Sequence, residues 1–269
     1  MDLLKAIQKT ELGALIELRR VCEKHNIRYF LAQGTLIGAA REKGFIPWDD
    51  DIDVIIPQKD LERLLEIFPR EADDRYTITN HNIEAHYPLS WPKIRVNNTL
   101  SRPILYKDIP INWGICIDLF PIYSISDNAA LRKLEITFFK IARKALLSEM
   151  TRYEDGRDII TRLFEKIPLR ARHKLMNTSA KIFGRHGDNT EYIYATCKGG
   201  FALKRSLIFG EERSLDFEGL SYPVPSDYDG FLRAQFGDYM TPPPENERKG
   251  HDMRLGEIEW RLSNIEISD

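Results

Sequence analysis

Four aspartates crowd into five positions, Asp49, Asp50, Asp51 and Asp53, directly after Trp48 and directly before the apolar run Val54, Ile55, Ile56 that ends at Pro57. A β-branched run bounded by proline predicts a strand. Side chains alternate along a strand, so Asp51 and Asp53 share one face while Ile52, Val54 and Ile56 share the other. Two carboxylates at the start of a buried strand repel each other unless a cation lies between them, and the pair therefore predicts a divalent metal. An acidic cluster is ordinarily a solvated turn, but the apolar face opposite draws this one inward. A calcium loop also begins with acids at alternate positions, as Asp49, Asp51 and Asp53 do. It needs glycine at its sixth position, where this chain has Val54, so that reading fails.

Two further segments must be positioned around these aspartates. Upstream, residues 27–31 (IRYFL) predict a strand, Gly34-Thr35 a tight turn, and 36–43 a short helix whose N-terminal N–H groups suit a phosphate. A phosphate cradle followed by an Asp-x-Asp strand is a stronger signal than either alone. Downstream, WGICIDLFPIY (113–123) alternates Ile115, Ile117 and Leu119 with Cys116, Asp118 and Phe120, which sets Asp118 opposite an apolar trio. An aspartate inside such a strand is costly unless partnered. If the two strands pair, Asp118 comes within reach of Asp51 and Asp53, because opposed residues sit roughly 4.5–5.5 Å apart. Three carboxylates could then hold one or two divalent ions.

The rest of the chain reads as a frame for that unit. A helix over 3–25 follows from Leu4, Ile7, Leu12, Leu15, Leu18 and Cys22, and another over 58–68 returns the chain after the aspartate strand. Strands are predicted over 76–79 and 93–97. A helix over 127–152 has Asp127 as N-cap and Leu131, Leu134, Phe138, Ile141 and Ala145 along one stripe. Two more helical stretches, split by Pro168, reach Gly184. Short strands are predicted over 207–209, 215–218 and 220–224, then a helix over 227–236. Three consecutive prolines stiffen the loop over 236–252, where Asp238, Tyr239, Arg248 and His251 are of the types that line a ligand pocket. These elements divide the chain into a catalytic core over 1–126, a helical insert over 127–185, and a C-terminal part over 186–269 that completes the core and the substrate pocket.

Composition narrows the function further. With 269 residues, 42% hydrophobic and 30% charged, the chain is of a soluble globular kind and long enough for a full core. No run approaches the roughly eighteen apolar residues of a membrane span, and MDLLKAIQKTELGAL lacks the basic start and apolar centre of a signal peptide, so a cytoplasmic protein is expected. Cys22, Cys116 and Cys197 form no C-x-x-C pair and the six histidines no H-E-x-x-H, which argues against a zinc site or a disulfide framework. The net charge of −2 conceals a basic segment, 131–185, with 14 basic and 6 acidic residues. Such an excess is either a solvated face or a surface that meets an anionic polymer or the cytoplasmic leaflet. No long basic stripe with interleaved aromatics is visible, so nucleic acid is not an expected partner.

The segment GTLIGAAREKGFIPWDDDIDV (34–54) resembles the signature of the LicD family of choline-phosphate transferases, in the nucleotidyltransferase-fold superfamily. PKIRVNNT (92–99), IDLFP (117–121) and PSDYDGFLRAQFGDYMTPP (225–243) agree in order, so the resemblance spans most of 25–252 and is weakest in the insert. It implies an α/β (α+β) fold, a nucleotidyltransferase-like mixed sheet flanked by helices, with a helical insert. It also implies transfer of phosphocholine from CDP-choline to a hydroxyl of lipopolysaccharide, teichoic acid or a related lipid-linked glycan, with release of CMP. On the matching positions, Asp51 and Asp53 would be ligands of Mg²⁺ or Mn²⁺, and Asp118 a third ligand or the general base. Gly34 and Thr35 would contact the donor's phosphates, Lys93 and Arg95 would neutralise its pyrophosphate, and Asp238, Tyr239 and His251 would belong to the donor site. Other readings keep the fold: a different CDP-alcohol (ribitol, glycerol or ethanolamine), or a nucleotidyltransferase acting on a small molecule. No activated Ser, Cys or His nucleophile is apparent, which favours direct attack by the acceptor. No aromatic cage for a quaternary ammonium can be assigned from the sequence, although Trp48, Trp91, Trp113 and several tyrosines are available for cation–π contacts. Peripheral contact with the inner face of the membrane would run through the basic insert.

Overall fold

The computed structural model describes residues 3–154, 156–248, 250 and 258–262. In chain order its elements are α1 (Leu3–His25), β1 (Phe30–Leu31), α2 (Gln33–Arg41), β2 (Asp53–Pro57), α3 (Gln58–Glu71), β3 (Tyr76–Thr79), β4 (Lys93–Val96), β5 (Leu100–Pro103) and β6 (Cys116–Ser124). There follow α4 (Ala129–Thr151), α5 (Ile159–Glu165), α6 (Leu169–Phe183), β7 (Tyr192–Ala195), β8 (Phe201–Lys204), β9 (Arg213–Phe217), β10 (Leu220–Val224), α7 (Tyr228–Phe236) and β11 (Ile258–Arg261). This is a mixed α/β fold. The main sheet runs β1-β2-β6-β4-β3, with β7 and then β8 added along the far end of β6. β2 and β6 are parallel, whereas β1, β4 and β7 are antiparallel to the strands they meet.

Every residue of β2 is buried, because helices cover the sheet and leave this central strand no solvated face. α1 places Leu15, Leu18 and Val21 in the same core as Val54, Ile55, Ile117 and Leu119. The insert makes a smaller core of its own, where Phe139 and Phe183 pack on Tyr123 and Tyr194 of the sheet's far end.

Several elements fall where the sequence puts them: α1, β3, β10, and the break between α5 and α6 at Pro168. Others differ. The helix predicted to begin at 36 begins at Gln33, so Gly34 and Thr35 lie in its first turn and not in a turn before it. The strand expected over 207–209 is absent, a 3₁₀ turn over 205–207 running into that span, and the sequence reading did not find β5, β7, β8 and β11.

The insert's first helix is rotated from its expected face. Leu131, Leu134 and Ile141 are exposed, and Glu135, Phe139, Ala142, Leu146 and Glu149 point inward. Two acidic residues can turn inward because each has a partner: Glu135 meets His186 at 2.6 Å and Glu149 meets Arg172 at 2.6 Å. Asn128, not Asp127, caps α4, accepting the N–H groups of Ala130 and Leu131. Asp127 instead accepts the backbone N–H groups of Glu191 and Tyr192, tying the insert's start to β7.

Candidate active site

The site is assembled from backbone outward. Gln33 lies in the left-handed region (φ 48°) and turns the chain from β1 into α2. Its side chain donates to Gln235 of α7 at 2.6 Å, fixing the helix N-terminus. The buried Thr35 hydroxyl accepts the Asp53 N–H at 2.8 Å, and the Ala32 N–H donates to the Asp53 carbonyl at 3.0 Å. Both backbone groups of Asp53 are thus held by the segment leading into α2. Gly34 stands so close to Asp49 that a Cβ there would meet Asp49 Oδ2 at 2.2 Å. Only glycine lets that carboxyl lie over the helix N-terminus.

Strand pairing then lines up three charged residues in one row across the sheet. Asp53 on β2 is opposite Asp118 on β6, and Asp118 is opposite Lys93 on β4. The Lys93 ammonium is ion-paired with Asp118 Oδ1, and Trp91 Nε1 donates to Asp118 Oδ2 at 3.1 Å. Asp49, Asp51, Asp53 and Asp118 line one cavity of about 430 Å³, together with Gln33, Gly34 and two cationic side chains, Arg143 and Lys198.

Burial and mutual repulsion dominate the electrostatics. Burial, then the charges of Asp51, Asp118 and Asp49, hold the Asp53 carboxyl well above the usual carboxylate range, with Lys93 pulling the other way. Asp49 is pushed up to about 8 by burial, by Asp51 and Asp50, and by a hydrogen bond it shares with Asp51. Burial works against the charge of Lys93, and Asp118 outweighs it, so the ammonium stays protonated above the ordinary lysine range.

Of the residues singled out in the sequence, Gly34, Asp51, Asp53 and Asp118 line this cavity. Thr35 is beneath it, engaged with Asp53. Lys93 and Arg95 line a neighbouring cavity that shares Asp51 and Asp118, and Arg95 donates through Nη1 to the Gly114 carbonyl at 2.8 Å. Asp238 and Tyr239 are not brought to the aspartates. Exposed Asp238 accepts from Thr241 at 2.6 Å, and the Tyr239 hydroxyl donates to Asp229 at 2.9 Å, closing the turn after α7. His251 lies outside the described residues.

Sequence reasoning missed Arg143 and Lys198. Arg143 sits on α4 amid other basic residues and nothing local sets it apart; here its guanidinium lies 5.2 Å from the Trp91 ring centroid, at the cavity. Lys198 had a signal in the Gly199-Gly200 pair that follows it, a place where backbone can approach a ligand closely. Its ammonium lies 3.9 Å from the Phe236 ring centroid.

Among the described residues no three His, Cys, Asp or Glu side chains already stand as a metal centre. The donor set nonetheless fits a hard divalent cation: the carboxylates supply only oxygen, and burial and mutual repulsion disfavour the charge on Asp49 and Asp53, a cost that a cation would relieve.

A helix N-terminus beside paired aspartates on a mixed sheet is consistent with a nucleotidyltransferase-type domain, and comparison with known families agrees. Residues 26–146 match the family model described as the nucleotidyltransferase domain of LicD/FKTN/FKRP. The chain is 27% identical, over 254 residues covering 90% of it and 93% of the relative, to the lipopolysaccharide cholinephosphotransferase LicD of Haemophilus influenzae. Shorter stretches match uncharacterized proteins of Rickettsia prowazekii (43% over 56 residues, 21% of each chain) and Rickettsia typhi (40% over 60 residues, 22% of this chain and 19% of the relative). Together these matches support membership of the LicD family and a transferase of that type.

Proposed function

We propose that this protein transfers phosphocholine from CDP-choline to a hydroxyl of lipopolysaccharide or a related cell-surface glycan and releases CMP. The observation that carries the reading is the row Asp53, Asp118, Lys93 opening beside the N-terminus of α2. The name of the Haemophilus relative supports the transferred group and the acceptor.

Transfer forms a bond from the acceptor oxygen to the phosphocholine phosphorus and breaks the bond from that phosphorus to the bridging oxygen of the pyrophosphate. The bond's electrons leave with CMP, and the hydroxyl proton passes to a carboxylate of the cluster. Such a reaction needs positioning and charge neutralisation more than covalent catalysis. Arg143, Lys198 and the first N–H groups of α2 would bind the donor's phosphates. Lys93 and Trp91 keep Asp118 oriented, which suits an oxygen ligand. Asp51, Asp53 and Asp118 would hold Mg²⁺ or Mn²⁺, which when bound supplies further neutralisation at the phosphates. Burial pushes the Cys197 thiol up to about 12 and raises that of Cys22, so neither serves as a thiolate nucleophile.

The test is CMP release from CDP-choline with Mg²⁺ or Mn²⁺, with and without a lipopolysaccharide acceptor. Release should depend on metal, rise with acceptor and fall by orders of magnitude in Asp53→Asn; wild-type turnover in that variant, correctly folded, would overturn the reading. We place the enzyme at the inner face of the membrane, held by the basic insert. Among the described residues no helix is long and apolar enough to cross a membrane, while Leu131, Leu134, Ile141, Ile159 and Leu163 of the insert are exposed beside its lysines and arginines. Failure to co-sediment with anionic liposomes at low salt would remove this placement.

A further inference from the structure

The aspartate cavity shares a wall with a second cavity of about 330 Å³, and Asp51, Trp91 and Asp118 line both. Beyond that wall the second cavity gathers Tyr106, Trp113 and Trp260, so three of the chain's four tryptophans surround one space. Their convergence is tertiary. Trp260 arrives on β11, which pairs with β5, and the near-parallel rings of Tyr106 and Trp113 (11°, centroids 6.4 Å apart) come from the segment between β5 and β6. Glu11 of α1, Asp50 and Glu154 add carboxylates, and Glu154 accepts the Tyr106 hydroxyl at 2.6 Å. The cavity's two cations have partners: Lys93 pairs with Asp118, and Arg95 donates to the Gly114 carbonyl with its guanidinium 6.0 Å from the Trp113 ring centroid, which leaves Trp260 and Tyr106 as the aromatic faces without a protein cation among the described residues.

Aromatic faces with carboxylates behind them are the chemistry that recognises a quaternary ammonium. Such a cation has no N–H to donate, and its charge is spread over methyl groups, so hydrogen-bond acceptors alone hold it poorly. A primary ammonium has the opposite preference, because it is strongly hydrated and donates directionally. The aspartate cavity, with Arg143 and Lys198, instead suits the phosphates of a nucleotide.

We infer that the Trp113–Trp260–Tyr106 cavity receives the trimethylammonium end of the donor, so that the reacting phosphorus lies at the shared wall of Asp51, Trp91 and Asp118. This rests on the donor reading given above and adds the residues that select choline over other alcohols.

Isothermal titration of the full chain with tetramethylammonium, phosphocholine, phosphoethanolamine and CMP tests it. Wild type should bind phosphocholine more tightly than phosphoethanolamine. Trp260→Leu and, independently, Glu154→Gln should weaken phosphocholine and tetramethylammonium by about five- to thirty-fold with CMP affinity unchanged. Glu154→Gln keeps an acceptor for Tyr106, so the test survives if Trp260→Leu is poorly folded. Unchanged phosphocholine affinity in folded variants, or no binding of tetramethylammonium by wild type that binds CMP, would overturn the inference. Turnover of CDP-choline with unaltered binding in both variants removes this cavity's role and leaves the reaction standing. Cavity-dependent binding of tetramethylammonium by a protein that turns over no CDP-choline does the reverse.

Discussion

Replacing Gly34 with alanine should separate stability from activity. Gly34 is the second residue of α2, at a backbone conformation open to any L residue, so alanine there favours the helix by at most about 1 kcal/mol. The added methyl, however, would stand 2.2 Å from Asp49 Oδ2 and 3.3 Å from its Cγ, whereas ordinary contact begins at 3.4 Å. The carboxyl must therefore retreat by roughly 1 Å, a displacement that at a reacting centre costs on the order of a hundredfold. Asp49 is the end of a flexible side chain, so it can move without unfolding the protein. Thermal denaturation should show Gly34→Ala at least as stable as wild type, and CMP release should show kcat/KM lower by about tenfold to a hundredfold. Wild-type kcat/KM in a folded Gly34→Ala protein would refute the placement of Asp49 and of the α2 N-terminus in the site. Loss of stability without loss of specific activity would show that the glycine serves packing alone.

Two further predictions concern the same cluster. Because Asp53 and Asp49 hold their protons above the unfolded carboxyl range, their contribution to stability is complete below about pH 4 and is lost as pH rises through the folded values, about 8 for Asp49. In chelator, Tm should fall from pH 4 to pH 8; Mn²⁺ or Mg²⁺ should raise it more at pH 8 than at pH 5, and Asp53→Asn should flatten both effects. A pH-independent Tm with the same metal shift in the variant would contradict the cluster's electrostatics. Direct attack by the acceptor also predicts that Cys116→Ser, which changes the thiol 3.5 Å from Lys93 Nζ, keeps kcat within about threefold, since the swap is nearly isosteric; loss of all turnover, with a covalent adduct on wild-type Cys116 by mass spectrometry, would replace the direct route with a two-step one.

Much of the chain was legible because its signals are local. The alternation after Asp51 sets the apolar run of β2, helical spacing defines α1, and the Asp-x-Asp pair with its upstream glycine carries the family resemblance, all within short windows where neighbouring residues decide the outcome. What the sequence could not supply is which distant segments meet. The register that sets Asp53 beside Asp118 and Asp118 beside Lys93 is a property of three strands far apart in the chain. The rotation of α4 depends on Arg172 and His186 waiting beyond it to neutralise Glu149 and Glu135, and with α4 comes Arg143, a charge with no motif of its own. The gathering of Trp113 and Trp260 needed β11 to close on β5. Local periodicity fixes elements because backbone geometry has few repeats; the placement of buried charges and aromatics is fixed only by their partners, and those are chosen by the tertiary structure.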